Sequence, residues 1–361
     1  MNVTLAPPPP SLDSLAEHAG HEERLGRWDS AAQTFSRLFR AALGMGEMVR
    51  AVNALRGQAR VRREQGRFEE AGELAELSRV VAELHGLTLE SARALNVLGI
   101  IRYAEGRWAE AEALYERALA LAIDVGDDEL VGFACQNLGV LSTMQGRLRE
   151  ARIRYLESIG ASVRSGDKRS EVMAYNNLGV ACTEMGEWLE AELYFDRGLE
   201  IAARISDNLN MAQLLANRAR SRVQVGDFER ARETLDRAEA IAGRIGSMVT
   251  LADVARHRGV IARREGNAEG AGRYFEEALA ISTRAALRQE QAETLTELGI
   301  LHLEGGRTGE AESALRAALE LFRAVGYTRE VGRVESLLDA CAEAQGTHAQ
   351  VARTDLRAPP M

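Results

Sequence analysis

The sequence predicts an all-α protein, an α-solenoid of tandem helical hairpins closed at its C-terminal end by a capping helix. Three observations predict this fold class. Glycine returns every 40 residues without an insertion, amphipathic helical patterns flank these glycines, and an alanine follows the first eight of them five positions later. A period of this length is typical of a solenoid, because one hairpin cannot bury both of its apolar faces and has to stack on its neighbours.

The repeating unit is clearest in residues 90–126. Its first half places apolar side chains on one helical face, a turn follows at Gly106, and a second amphipathic run completes the hairpin. Gly106 supplies the backbone freedom that a tight turn between helices needs. The equivalent turn glycines are Gly26, Gly66, Gly146, Gly186, Gly226, Gly266, Gly306 and Gly346, and the alanines are Ala31, Ala71, Ala111, Ala151, Ala191, Ala231, Ala271 and Ala311.

Taken in order, the chain begins with residues 1–11, which we expect to be a disordered tail because Pro7 to Pro10 cannot enter a helix interior. Eight hairpins and a capping helix over residues 328–345 are expected to form one solenoid, residues 12–345. Arg329, Glu330 and Arg333 should give the capping helix a solvated outer face. Residues 346–361 are expected to be a flexible tail.

The repeat has a family resemblance. Leu98-Gly99 in the first helix, with Ala111, Tyr115 and Ala118 in the second, resembles the tetratricopeptide repeat, although Ser158 departs from the last of these positions in the next unit. The usual repeat has ~34 residues, and the longer unit is similar to those of kinesin light chain, LGN-type adaptors and bacterial regulators. The resemblance implies a right-handed superhelix whose first helices line a concave groove, and it implies that this groove binds a partner.

Composition limits the class of partner. The 361 residues carry a formal net charge of −9, which argues against a nucleic-acid partner or an anionic membrane surface. Cys135, Cys182 and Cys341 are widely separated and show no metal-ligand spacing, so we expect buried thiols in a reducing, cytoplasmic setting. Arginine greatly outnumbers lysine, which we interpret as a coding bias typical of a bacterial source. No apolar run is long enough to span a membrane.

The sequence predicts no enzyme, no cofactor and no metal site. It contains no Gly-x-Ser-x-Gly, no phosphate-binding glycine loop and no Cys-x-x-Cys. His18 and His21 have a spacing that a metal could use, but a chance arrangement on a helix surface explains it better. The glycines are accounted for by the turns.

A ladder of side-chain amides marks the predicted groove. Asn is a poor helix former, yet amides recur at the fifth and sixth positions of successive first helices. A side-chain amide donates and accepts at once, so a column of them can hold a peptide backbone. Packing between helices is the alternative explanation. The amides are Asn96, Gln136, Asn137, Asn176, Asn177 and Asn217.

A basic cluster follows the ladder. Residues 217–264 contain 11 arginines and six acids, and Arg218 and Arg258 replace the repeat's leucine. Arg220, Arg256 and Arg263, with His257 in the sixth position, complete the predicted partner-binding groove. Guanidinium groups can bind carboxylates of a partner. They can equally pair with acids of adjacent helices, such as Asp227, Glu229 or Asp253.

These patterns favour a non-enzymatic protein–protein interaction scaffold that binds a peptide or helical segment of a partner, with acidic groups on the partner as one option. A peptide-responsive sensor that controls a transcription or signalling protein is the first alternative. A self-assembling scaffold is the second, since end repeats expose apolar area and would allow homo-oligomerisation.

Overall fold

The computed structural model describes residues 11–355, which form seventeen α-helices and no strand. The predicted N-terminal tail lies outside the described residues except for Ser11, whose hydroxyl caps the first helix by accepting from the backbone N–H of Ser14. The predicted all-α fold class is confirmed.

The chain divides into two compact units, with the boundary between Leu141 and Ser142. The first contains α1 (Leu12–Arg24), α2 (Trp28–Gly44), α3 (Met48–Glu64), α4 (Phe68–Leu84), α5 (Thr88–Ala104), α6 (Trp108–Val125) and most of α7 (Asp128–Met144). The second contains α8 (Leu148–Ser165), α9 (Lys168–Met185), α10 (Trp188–Arg204), α11 (Asn208–Val225), α12 (Phe228–Ile245), α13 (Met248–Arg264), α14 (Ala268–Arg284), α15 (Arg288–Glu304), α16 (Thr308–Val325) and α17 (Thr328–Asp355). The expectation of a single domain stays a prediction.

The 40-residue glycines form the turns within the hairpins. Gly106 adopts a φ of 74° between α5 and α6, and the chain reverses there through a 2.9 Å bond from the Arg107 N–H to the Arg102 carbonyl. This left-handed conformation suits glycine, because a Cβ would clash with the backbone. Ser206 and Ala286 adopt the same conformation with φ values of 56° and 55°.

The Leu-Gly motif brings the two helices of a hairpin into close contact. At Gly179 in α9, a Cβ would lie 2.6 Å from the ring of Phe195, which is fully buried in α10. The ring therefore occupies the space that a side chain would need. Gly99 with Tyr115 and Gly259 with Phe275 repeat this arrangement.

Alternate helices form a common face in each unit. In the second unit α9 packs against α11, α11 against α13, and α13 against α15, while each also packs on the second helix of its own hairpin. We call the surface formed by α9, α11, α13, α15 and the start of α17 the first-helix face. Six consecutive helices thereby place residues that are far apart in sequence beside one another.

The final helix differs from the prediction. The capping helix was expected over residues 328–345, but α17 continues to Asp355, ten residues into the predicted flexible tail. Residues 356–361 lie outside the described part of the chain. Val334 and Cys341 of α17 are buried in a cluster with residues of α15 and α16. All three cysteines are free and buried, as the sequence predicts.

Replacing Ala286 by glycine should stabilise the protein. An L-residue in the left-handed region costs ~1–2 kcal/mol, and glycine removes this cost while losing somewhat more chain entropy on folding. We expect Ala286→Gly to raise the free energy of unfolding by up to ~1 kcal/mol in urea denaturation.

The matched control is Gly246→Ala, at a φ of 71° in the corresponding turn of the preceding repeat. It should lower the free energy of unfolding by about 1 kcal/mol. Changes of the same sign in both variants would show that the turn conformation does not limit stability.

Candidate functional site

The second unit contains a cavity of about 240 Å³ on its first-helix face. Its walls come from α9, α11, α13, α15 and the start of α17, with Thr143 and Met144 from the end of α7 and Phe322 from α16. The other lining residues are Val180, Glu184, Arg220, Val223, Gln224, Arg256, His257, Val260, Gln289, Glu293, Thr296, Glu297, Tyr327, Arg329, Glu330 and Arg333.

The fifth and sixth positions of the repeat point into this cavity. They are occupied by Arg256 and His257 in α13 and by Thr296 and Glu297 in α15, and all four line it. The repeat places equivalent residues of neighbouring hairpins side by side, so positions separated by 40 residues share one site.

The cavity has no excess of either charge. Four arginines line it, Arg220, Arg256, Arg329 and Arg333, and four glutamates oppose them, Glu184, Glu293, Glu297 and Glu330. The predicted basic patch is therefore an ion-pair network on this face. A ligand carrying only negative charge would meet acids as often as arginines.

Arg256 is the centre of that network. It contacts the carboxylates of Asp253 and Glu293, each at 2.7 Å, while its buried Nε has no hydrogen-bond partner in the described chain. Burial raises the pKa of Asp253. Burial acts on Glu293 in the same direction, but the charges of Arg256 and Arg220 outweigh it and lower the pKa of Glu293. Arg256 thus stays charged, although it is enclosed.

His257 is the one buried lining residue that is a titratable base. Its side chain is only 4% exposed and makes no hydrogen bond with any described residue. Burial, with the charges of Arg256 and Arg220, lowers its pKa well below the ordinary value of a histidine. At neutral pH His257 is therefore an uncharged imidazole that can donate one hydrogen bond and accept another.

The remaining predicted arginines are also paired. Arg220 lies 3.4 Å from Glu184 but is still 38% exposed. Arg263 contacts Glu297 at 3.1 Å and Glu304 at 2.5 Å. Of the three acids that the sequence suggested as partners, Asp253 pairs with Arg256 and Asp227 with Arg230. The pairing alternative accounts for most of the cluster, and Arg220 keeps the largest exposed part.

The two arginines in the leucine position have a structural role. Arg218 bonds to Glu192 and Asp196 of α10, at 2.7 and 2.9 Å. Arg258 bonds to Asp236 and Glu239 of α12, both at 2.7 Å. Each arginine therefore joins its first helix to the preceding second helix, where other repeats use an apolar contact.

The amide ladder is divided into bonded pairs. Asn137 in α7 donates to Asn96 in α5 at 2.9 Å, and Asn217 in α11 donates to Asn176 in α9 at 3.0 Å. Asn177 accepts only a long 3.4 Å bond from Asn176. The paired amides connect successive first helices, as the packing explanation requires. Their role in partner binding stays a prediction.

The predicted groove residues do not form one site. Asn96, Gln136 and Asn137 belong to the first unit, where Asn96 lines a separate groove of about 450 Å³ with Arg56, Arg93 and Phe133. Gln136 is buried, and its Oε1 has no partner in the described chain. In the second unit, Arg220, Arg256 and His257 share the charged cavity, and Arg263 reaches it through Glu297.

Sequence reasoning missed the wall formed by α17. Arg329, Glu330 and Arg333 were expected on the solvated outer face of a cap, but they line the cavity. Tyr327, just before the helix, donates a 2.5 Å hydrogen bond to Gln289 of α15. The missing signal was the continuation of the 40-residue register, since α17 begins 40 residues after α15 and is itself a first helix.

Comparison with known families decides the identity of the repeat. A tetratricopeptide repeat model matches residues 90–161, 170–244 and 250–324, and a second tetratricopeptide repeat model matches residues 18–80. These matches cover well over half of the chain. The chain belongs to the tetratricopeptide repeat family. No curated protein matches the sequence significantly.

Solved tetratricopeptide structures share the fold. The apo form of RapI superposes with a TM-score of 0.65 at 13% identity, covering 76% of this chain and 98% of RapI. The apo form of the quorum sensor NprR from B. thuringiensis gives 0.63 at 15% identity, covering 86% and 88%. A Rap protein complexed with competence and sporulation factor gives 0.59 at 12% identity, covering 92% and 100%. At these identities the likeness concerns the fold.

Two searches of the tetratricopeptide helices for other features returned nothing. Among the described residues, no group of three or more His, Cys, Asp or Glu side chains is placed to hold a metal ion. No helix in residues 11–355 combines the length and apolar character required to cross a membrane.

The Asn176–Asn217 bond should contribute to the stability of the repeat. We expect Asn217→Ala to lower the free energy of unfolding by about 0.5–1.5 kcal/mol in urea denaturation, because it removes a hydrogen bond between α9 and α11. Asn177→Ala is the matched control, since Asn177 has only the long bond, and it should change stability by less than about 0.5 kcal/mol. Equal effects would contradict a packing role for the pair.

His257 should make the protein less stable in mild acid. Its pKa is lower in the folded state than in the unfolded chain, so protons favour unfolding. The contribution is fully present above about pH 6.5 and is lost as the pH falls below that value. Arg220 of α11, Arg256 and Asp253 of α13, and Glu293 and Glu297 of α15 surround the site.

The pH dependence is measured as the melting temperature between pH 7.5 and 5.5. Wild type should lose stability on acidification by at most ~1.4 kcal/mol per pH unit from this residue, and His257→Gln should show a shallower dependence. His85→Gln, a change at an exposed histidine, is the control. A His257→Gln curve parallel to that of wild type would refute the assignment.

Proposed function

We propose that this tetratricopeptide protein is a non-enzymatic interaction module that binds a short peptide segment of a partner protein in the charged cavity of the second unit. The observation that supports it is His257, a buried, neutral imidazole without a hydrogen-bond partner in the wall of a cavity. Buried polar groups nearly always have partners, so an unpaired one facing a cavity indicates a ligand with complementary donors or acceptors.

A peptide satisfies the other properties of the cavity. Backbone amides supply both donors and acceptors for His257 and Thr296, and charged ends or side chains of both signs match the balanced arginines and glutamates. The volume of about 240 Å³ is smaller than the ~300–1,000 Å³ usual for ligand sites. The cavity therefore suits a short part of a longer segment, whose remainder lies along the first-helix face.

A cytoplasmic, bacterial setting belongs to the same proposal. Three free, buried cysteines are compatible with a reducing compartment. Lys168 is the only lysine among 45 basic residues, which supports a GC-rich coding sequence.

A second candidate function is that of a peptide-responsive regulator. It is favoured by the wall that α17 contributes, because a ligand in the cavity would contact both the repeats and their final helix. The two solved proteins of this fold noted above, one named a quorum sensor and one complexed with competence and sporulation factor, lend support to this candidate.

The proposal is tested with an immobilised library of synthetic peptides with free termini, probed with labelled full-length protein. We expect wild type to bind a subset of sequences. Arg220→Gln should weaken this binding about tenfold, which corresponds to the ~1.4 kcal/mol expected for one charge-assisted hydrogen bond. His257→Leu should weaken it as well, since it retains apolar bulk and removes hydrogen bonding.

The matched control is Arg204→Gln on α10, where the arginine is exposed and pairs with Glu200. It should bind the same peptides as wild type. Binding unaffected by both cavity variants would move the interaction to another surface. Concentration-dependent self-association in sedimentation, with no peptide bound, would favour the self-assembling scaffold.

A further inference from the structure

One ion pair crosses the cavity from its first wall to its last. Arg329, at the start of α17, contacts the carboxylate of Glu184 at the end of α9, 145 residues earlier in the chain. Three further first helices lie between them in sequence. Glu184 is 12% exposed and Arg329 is 43% exposed, so the pair lies at the edge of the cavity.

This pair differs from the other attachments of α17. Val334 and Cys341 anchor one side of the helix in the core with α15 and α16. On the cavity side, Tyr327 bonds to Gln289 and Arg333 lies 3.6 Å from Glu297, and both partners belong to the adjacent helix α15. Arg329 alone among these residues reaches α9, and Glu184 is its only ion-pair or hydrogen-bond partner in the described chain.

Glu184 is held by two arginines. One oxygen lies 3.4 Å from Arg220 of α11, and the other contacts Arg329. A pair of guanidinium groups around one carboxylate is a suitable receptor for any carboxylate, because their N–H donors match its two oxygens. In the present arrangement the protein's own side chain occupies that receptor.

We propose that the Glu184–Arg329 ion pair is a latch that holds the start of α17 across the cavity, and that a ligand carboxylate opens it by replacing Glu184 on Arg220 and Arg329. The proposal rests on the peptide-binding function, since a peptide supplies the carboxylate from its C-terminus or from an acidic side chain. It adds a consequence, which is that ligand entry loosens the attachment of α17.

The energetic balance suits such an exchange. A partly exposed ion pair is weak and is screened by salt, so a competing carboxylate can displace it. The core contacts of Val334 and Cys341 remain when the latch opens. The change is therefore confined to the first turns of α17, and the helix stays attached to α16.

The latch is tested by hydrogen–deuterium exchange of peptides covering residues 327–340 in full-length protein. Glu184→Gln and Arg329→Gln should each accelerate exchange there by up to roughly fivefold, the factor equivalent to ~1 kcal/mol for such a pair. The double variant should exchange no faster than either single variant, because both changes break the same contact. Additive effects, or none, would overturn the latch.

The competing carboxylate is tested with sodium acetate as the probe, against sodium chloride at equal ionic strength. In wild type, acetate should accelerate exchange of residues 327–340 more than chloride, and Glu184→Gln should have lost this difference. Equal responses to the two salts in wild type would overturn the exchange mechanism. Glu200→Gln, which breaks an exposed pair on α10, is the control and should behave as wild type.

These outcomes are independent of the peptide library. A peptide that binds and is weakened by Arg220→Gln, while the double variant is additive, would leave the proposed function standing and overturn the latch. Coupled exchange with an acetate response, while no peptide binds, would support the latch and overturn the peptide-binding function.

Discussion

The structure depends on the contact between a glycine of the first helix and an aromatic ring of the second. At Gly179 the ring of Phe195 takes the space of a missing side chain, and the same contact recurs at Gly99 and Gly259. It sets the distance between the helices of a hairpin, and therefore which residues of the first helix face the neighbouring hairpin and which remain on the first-helix face. The regular spacing of cavity residues follows from this contact.

Most of the fold could be predicted because the repeat is its own confirmation. One glycine is weak evidence for a turn, but the same residue at the same step along the whole chain fixes helix number, helix bounds and pairing. The register also identified the fifth and sixth positions as a common surface, which is where Arg256, His257, Thr296 and Glu297 lie. The prediction failed at the end of α17, because no turn residue after Gly346 stops a helix and the expected stop was inferred only from the loss of the apolar pattern.

The candidate site was less predictable, because its properties depend on pairs of residues that are distant in sequence. The local excess of arginine between residues 217 and 264 suggested an open basic patch. The acids that neutralise the cavity, Glu184, Glu293 and Glu297, lie outside that window on α9 and α15. A window of sequence measures charge along the chain, whereas a solenoid assembles charge across its repeats. Pairing such as Arg329 with Glu184 cannot be read from composition.

Arg218 and Arg258 give the second unit two kinds of joint. Where other repeats join a first helix to the preceding second helix with leucine, these two use clusters of arginine with Glu192, Asp196, Asp236 and Glu239. Apolar joints weaken on cooling and tolerate salt, whereas ionic joints respond in the opposite way. The middle of this unit is thus sensitive to ionic strength in a way that its ends are not. Changes in cellular ion content would loosen the array at α11 and α13, the two helices that carry Arg220 and His257.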